Sequence, residues 1–296
     1  MVESKRTIDV VIDVLIYVVV GIGAILCLIP LLNTLALSFS SSVMAGSGTV
    51  TFWPKQFTTA AYEAILTERQ FFGSFFISVQ RVILGGAINF LMMVLAAFPL
   101  AHSERTFKGR NMYMYVLIFT MLFSGGLIPT YIVVSKLGLI DTIWSLVLPG
   151  AVPVWNCILL MNFFRSLPDE LEEAAIIDGA VPVQIMIRIY LPVSLPSLAT
   201  VMLFSIVGHW NEFFSGLIYM NHSDHYPLAT YISTIVDTAK NLNLITDPEE
   251  IERIMKVSSR NMSSAKIFVS MIPILLVYPF LQKYFVKGIV LGSVKG

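Results

Sequence analysis

Six stretches of this chain are each long and apolar enough to cross a lipid bilayer, and no other feature limits its fold so strongly. A spanning helix needs about 20 mostly apolar residues. Segments at roughly 11–38, 74–101, 111–135, 143–165, 193–220 and 266–286 meet that length. In hydrocarbon every backbone N–H and C=O must be bonded within the protein, so runs of this length form helices. The expected fold is all-α, a polytopic membrane protein with six transmembrane helices in one domain over residues 1–296. Charged residues make up 13% of the chain, against about 25% in a soluble domain. The formal net charge is zero, which gives no electrostatic reason to expect nucleic acid. Cys27 and Cys157 lie in apolar runs and read as small buried hydrophobes. The four histidines are scattered, without metal-ligand spacing. The first apolar run, 10–39, exceeds the roughly 7–15 residues of a signal sequence and reads as an uncleaved span.

Between the spans lie a polar segment (40–73), a short basic loop (102–110), a tight turn (136–142), an acidic loop (166–192) and a long polar loop (221–265). The compact basic loop HSERTFKGR is the clearest orientation signal. It puts both termini and loop 166–192 in the cytoplasm and loop 221–265 outside. Residues 247–261, DPEEIERIMKVSSRN, carry acids and bases at helical spacing, as a solvated helix or docking surface for an external protein would. Pro30 interrupts the first span, and Gly125, Gly126 and Pro129 interrupt the third. Ordinary kinking and cavity lining both account for such breaks.

Loop 166–192 is the unusual part. Ser166 and Asp169 have capping-box spacing, Pro168 suits a first turn, and Asp169, Glu170, Glu172 and Glu173 sit near the positive end of the helix dipole. Gly179 ends that helix as a left-handed cap would. Pro182 opens a second short helix with Val181, Ile185, Met186 and Ile189 on its apolar face, stopping at Leu191-Pro192. Helices this short are marginal in water and need a surface to bury against. Ala174 and Ala175 would admit a close backbone, and Glu173 could bond a partner's Arg or Lys. The alternative surface is the lipid headgroup layer, although its negative charge repels an acidic helix.

The spacing Glu173-Ala174-Ala175, Gly179, Ile189, Leu191-Pro192 resembles the signature cytoplasmic loop of binding-protein-dependent ABC importer permeases, which have the MetI-like fold. FSGGLIPTY (123–131), LGLIDTIWSLVLP (137–149), GHWNEFFSGLIYM (208–220) and the ending YPFLQKYFVKGIVLGSVKG (278–296) are similar to MalG-type sugar permeases, especially those of importers for complex oligosaccharides such as alginate. The likeness covers roughly residues 73–296. It implies that Glu173, Ala174, Ala175, Asp178, Gly179, Ile189, Leu191 and Pro192 form a coupling helix and its support, docked on a cytoplasmic ATPase, with the tail at Lys295 and Gly296 a second contact. It also implies a second permease subunit in a heterodimer, two ATPase subunits, an extracytoplasmic solute-binding protein, and a bacterial cytoplasmic membrane.

The chain lacks the GxxxxGK[ST] phosphate loop, so it is expected to be a transport subunit and not an enzyme, with ATP and Mg bound by the partner ATPase. His209, Trp210, Asn211 and Glu212 in the fifth span, with Asn156 in the fourth, are candidates for the sugar path. Ionisable groups in a membrane usually face a cavity. Planar polar and aromatic groups suit sugars, but interhelical hydrogen bonds explain the same residues. Asn89, Asn156 and Asn162 fit that second role in particular. An ion-coupled transporter would need internal repeats and several buried carboxylates, and Glu212 is nearly alone. An intramembrane enzyme would need a third group beside His209 and Glu212. The solute is read as an oligosaccharide, with acidic uronate chains as the variant reading.

Overall fold

The structure, a computed structural model, describes residues 7–240 and 260–293, and its regular elements there are all helical. In chain order they are α1 (Thr7–Ser38), α2 (Ser42–Gly46), α3 (Ala60–Thr67), α4 (Arg69–Ala101), α5 (Arg110–Leu122), α6 (Leu127–Lys136), α7 (Ile143–Val147), α8 (Val154–Arg165), α9 (Asp169–Ile177), α10 (Pro182–Ile185), α11 (Leu191–Val193), α12 (Leu195–Asn211), α13 (Phe214–Tyr219), α14 (Leu228–Lys240) and α15 (Arg260–Ser293). A 3₁₀ turn, Leu148–Gly150, extends α7, and a π-helical turn, Met186–Tyr190, joins α10 to α11.

Three stretches are long and apolar enough to cross a bilayer unbroken: Val10–Ser38 in α1, Arg69–Ala101, and Arg260–Pro279 in α15. Three more are bent pairs: α5 with α6 at 113°, α7 and its 3₁₀ turn with α8 at 47°, and Pro182–Val193 with α12 at 84°. Counting each pair as one span yields the six expected from hydropathy.

The breaks differ from expectation. Pro30 does not interrupt α1, which runs on through it; a proline costs a helix one N–H donor, and a neighbouring bond from the Thr34 hydroxyl to Pro30 O (2.9 Å) accompanies it. The third span does break at residues 123–126, where Gly126 has φ +87° and Pro129 falls in the first turn of α6. The fifth ends at Asn211 and not near residue 220, because Glu212 turns extended and α13 starts as a separate piece. Cys157 is buried as expected, whereas Cys27 is exposed on α1, most of whose apolar side chains between Val10 and Leu32 point outward.

The chain divides into two units. One comprises residues 1–68 and 232–271. In it Ala36, Leu37, Ala45 and Val50 form a small core, and Asn33 donates to Thr51 O at 2.7 Å. Phe39 stacks on Phe57 with ring centroids 5.4 Å apart, and the Ser38 and Tyr62 hydroxyls bond at 2.7 Å. Lys266, almost fully buried, pairs with Glu68 at 2.8 Å. The other unit comprises residues 69–231 and 272–296. There α4 packs along α8 and α12. Met93, Ala97, Leu160 and Val201 are among the most buried residues of that core, which continues through Ala175, Ile185 and Tyr190 into loop 166–192. The loop is therefore built on the same apolar core as the spans it connects.

Candidate functional site

The second unit holds a cavity of about 430 Å³ among α4, α7, α8, α12 and α13. Its most unusual group is Arg81, 3% exposed and the one cation of its span between residues 74 and 101. An ionised group there needs a partner, and Glu212 supplies it. Arg81 Nη2 donates to Glu212 Oε2 at 2.5 Å and to Ser215 Oγ at 3.0 Å, and Nη1 donates to Glu212 O at 2.9 Å. The carboxylate also receives the Ser215 N–H on Oε1 at 2.8 Å and the Ser215 hydroxyl on Oε2. It thus satisfies the free amide at the start of α13 as a capping side chain does. Charge pairing and capping together explain why the helix breaks at Glu212. Glu212 is therefore not an isolated carboxylate, although it is the one the sequence offered.

A second knot sits beside it. Asn89 Nδ2 donates to Gly150 O (2.9 Å) and Ala151 O (3.0 Å), tying α4 to the turn before α8, and its Oδ1 lies 2.9 Å from His209 Nε2. The His209 ring fits because Gly85 has no side chain: a β-carbon there would lie 2.5 Å from Nε2. Asn156 Nδ2 donates to Val201 O and to Ser205 Oγ, both at 3.2 Å. The structure thus brings His209, Glu212 and Asn156 around one cavity. Trp210 and Asn211 are not in its lining. Trp210 points the other way, edge-on to Phe75 at 5.6 Å, in an apolar pocket with Val79, Leu203 and Pro273. Adjacent residues on a helix point about 100° apart, so a run of four could not line one wall. Asn211 and Asn162 are exposed.

Loop 166–192 starts differently from the expected capping box. Ser166 ends α8, its hydroxyl bonded to Phe163 O at 2.7 Å, and Pro168 precedes α9 without a side-chain cap. Three acids in the first turn of α9 supply the dipole complement instead. Gly179, at φ +79°, closes α9 with two bonds, Gly179 N to Ile176 O (3.0 Å) and Ala180 N to Ala175 O (2.9 Å). This is the Schellman pattern, which favours glycine at that position. Ala175 is turned inward on the core, so it does not offer the open patch expected of the Ala174-Ala175 pair. The outward surface carries Glu173, Ala174, Asp178 and two large apolar residues, Ile176 (57% exposed) and Ile177 (85%). Ile189 and Leu191 pack on the core and Pro192 is exposed. Lys295 and Gly296 lie outside the described residues, as do residues 241–259 of loop 221–265.

Two features escaped the sequence. Arg81 had a usable signal, a lone cation in a long apolar run. Glu172 did not: its carboxylate meets His102 Nε2 at 2.9 Å and the Tyr190 hydroxyl at 2.6 Å, residues 70 and 18 positions away.

The described residues thus form apolar spans around a polar cavity, with the half-apolar loop 166–192 built on the same core. The chain belongs to the family described as the inner membrane component of binding-protein-dependent transport systems, matched over residues 70–291. Protein LplC of Bacillus subtilis (strain 168) is 42% identical over 280 residues, 93% of this chain and 92% of its own length. The polygalacturonan/rhamnogalacturonan transport system permease protein YtcP of the same strain is 38% identical over 284 residues, 96% of this chain and 98% of its own. Among solved structures, a chain of a bacterial ABC transporter involved in import of the acidic polysaccharide alginate superposes with a TM-score of 0.83 at 28% identity, covering 95% of this chain and 99% of that one.

Proposed function

We propose that this chain is one permease subunit of an ATP-driven importer of oligosaccharides, resident in the bacterial cytoplasmic membrane with both termini inside. A second permease subunit completes the path, two ATPase subunits bind ATP and Mg, and an extracytoplasmic binding protein delivers the sugar. The observation that carries this reading is loop 166–192: a helix closed by Gly179, built on the core of the spans and presenting Ile176 and Ile177 outward. Membership in the binding-protein-dependent family supports the partners, and the polygalacturonan/rhamnogalacturonan and alginate named for YtcP and for the solved transporter support saccharide cargo.

In mechanism, ATP-driven closure of the ATPases would push α9, and the common core would carry that motion to α4, α8 and α12. The path then opens outward to receive sugar. Within this subunit the cavity offers Asn89, Asn156, Ser205 and His209 to sugar hydroxyls. Asn211 and Trp210, named with them on sequence grounds, stand apart from that cavity. Arg81 is the cation nearest a passing uronate, but its charge is already balanced by Glu212. That balance favours neutral segments of the cargo at this subunit, with acidic groups read elsewhere in the complex.

The test is uptake of labelled oligosaccharides by cells with and without this chain, comparing neutral chains with oligogalacturonides. ATP-dependent uptake of at least one class, lost on deletion and restored by the intact chain, is the expected result. Unchanged uptake of all of them would remove the assignment of oligosaccharide cargo.

A further inference from the structure

The sequence motif directs attention to Glu173, yet the neighbouring acid is the one with internal partners. Glu172 Oε1 lies 2.9 Å from His102 Nε2, and Oε2 lies 3.1 Å from the same nitrogen and accepts the Tyr190 hydroxyl at 2.6 Å. These three residues belong to three segments: His102 directly follows α4, Glu172 lies in α9, and Tyr190 ends the π-helical turn that leads through α11 to α12. His102 is fixed from behind, its Nδ1 2.8 Å from Phe98 O. One ring nitrogen faces a carbonyl and the other a carboxylate, and both are acceptors. Tyr190 is wedged edge-on between Phe98 (5.0 Å) and Phe164 (5.3 Å), which fixes its hydroxyl direction. Of the other charged groups, Asp169 adds a second negative charge near Tyr190, while Arg110 and Arg165 donate to the carbonyls of Leu100 and Ala101.

We propose that Glu172, His102 and Tyr190 form a three-way latch that makes α9 move as one body with the cytoplasmic ends of α4 and α12. They are positioning residues that transmit the motor's stroke and touch neither ATPase nor sugar. The inference rests on loop 166–192 being the coupling loop. Charge-assisted hydrogen bonds of this kind are short and directional. A π turn, such as the one carrying Tyr190, is a common place for functional geometry in a helix. Without the latch, α9 would still be folded and still show Ile176 and Ile177 to a partner. It would then rock on Gly179 and Leu167 when pushed, and the stroke would be lost before reaching the spans.

The experiment uses the complete importer in liposomes and measures sugar moved per ATP hydrolysed, ATPase association, and the KM for sugar. The variants are Glu172→Gln, His102→Gln, Tyr190→Phe and the double Glu172→Gln/Tyr190→Phe. Each single change should lower sugar moved per ATP by about tenfold, the scale set by one charged hydrogen bond, with ATPase association and KM unchanged. The double variant should be no worse than its worse parent. Tyr190→Phe keeps the ring contacts, so it remains decisive if the other variants fail to accumulate. A wild-type transport ratio in Tyr190→Phe, or losses that multiply in the double variant, would overturn the latch. Ile177→Arg separates the two readings: if it leaves ATPase association intact, the coupling-loop reading fails, whatever the latch variants do.

Discussion

Removing the Glu212 carboxylate should destabilise this protein chiefly through the cation it leaves behind. Arg81 is 4% exposed at its side chain and Glu212 37%. Breaking a fully buried pair costs about 3–5 kcal/mol, because the survivor is uncompensated. Glu212 faces the cavity, and water there screens part of the interaction, so about 2 kcal/mol is expected for Glu212→Ala. Part of that is the lost cap on α13. Replacing both partners, as in Arg81→Met/Glu212→Leu, removes the stranded charge and should recover most of the loss, since apolar pairs of similar volume are tolerated at such sites. The assay is a double-mutant cycle of Arg81→Met, Glu212→Leu and the two together, on reversible denaturant unfolding in mixed micelles, with monodispersity as the check on fold. A coupling of at least about 1 kcal/mol is predicted; single losses that add within roughly 0.5 kcal/mol would refute the pairing as a stabilising unit. Transport should fall in the double variant even where stability returns, because the break at residue 212 and the cavity wall both change.

Three further outcomes follow from named contacts. Gly85→Ala would set a methyl 2.5 Å from His209 Nε2, so the ring must leave Asn89, and a stability loss of about 1–2 kcal/mol is expected from thermal unfolding in detergent. Gly179→Val places a β-branched residue at φ +79°, costing about 1–3 kcal/mol locally; ATP hydrolysis should continue while transport per ATP drops, and wild-type coupling in that variant would remove the mechanical role of the turn. Asp141 lies between helices, outside the spans. Partial burial raises its carboxyl, but bonds from His225 and from the Asn221 and His222 amides outweigh that and hold it below its ordinary value of 3.8. The folded-state value is the lower one. Its stabilisation is therefore present above about pH 3.8 and lost as pH falls through the folded value. Melting curves across pH 3–6 should show the acid-side decline reduced in Asp141→Asn.

How much of this was legible in the sequence depended on range. The spans were, because hydrocarbon imposes a length that can be counted along the chain. The Gly179 stop was also visible, since a left-handed cap after Ala175–Asp178 is a local requirement. The direction of Ala175 was not: whether a small residue faces the core or a partner is decided by α4 and α8, not by its neighbours in sequence. Trp210 and Asn211 were grouped with His209 and Glu212 by adjacency, while helical rotation separates them. The Arg81–Glu212 pair spans 131 positions and the His102–Glu172 contact spans 70, distances that no local pattern encodes. Pro30 misled because a proline missing one bond in a long apolar helix need not break it.

The central claim is that loop 166–192 is where a separate motor engages this chain. The most direct measurement is to tag the chain in its native membrane, extract it gently, and identify its companions for the wild type and for Glu173→Arg. The account predicts an ATPase and a second permease with the wild type, and the ATPase lost or its hydrolysis uncoupled from transport in the variant. A solitary protein, unchanged by the substitution, would contradict it.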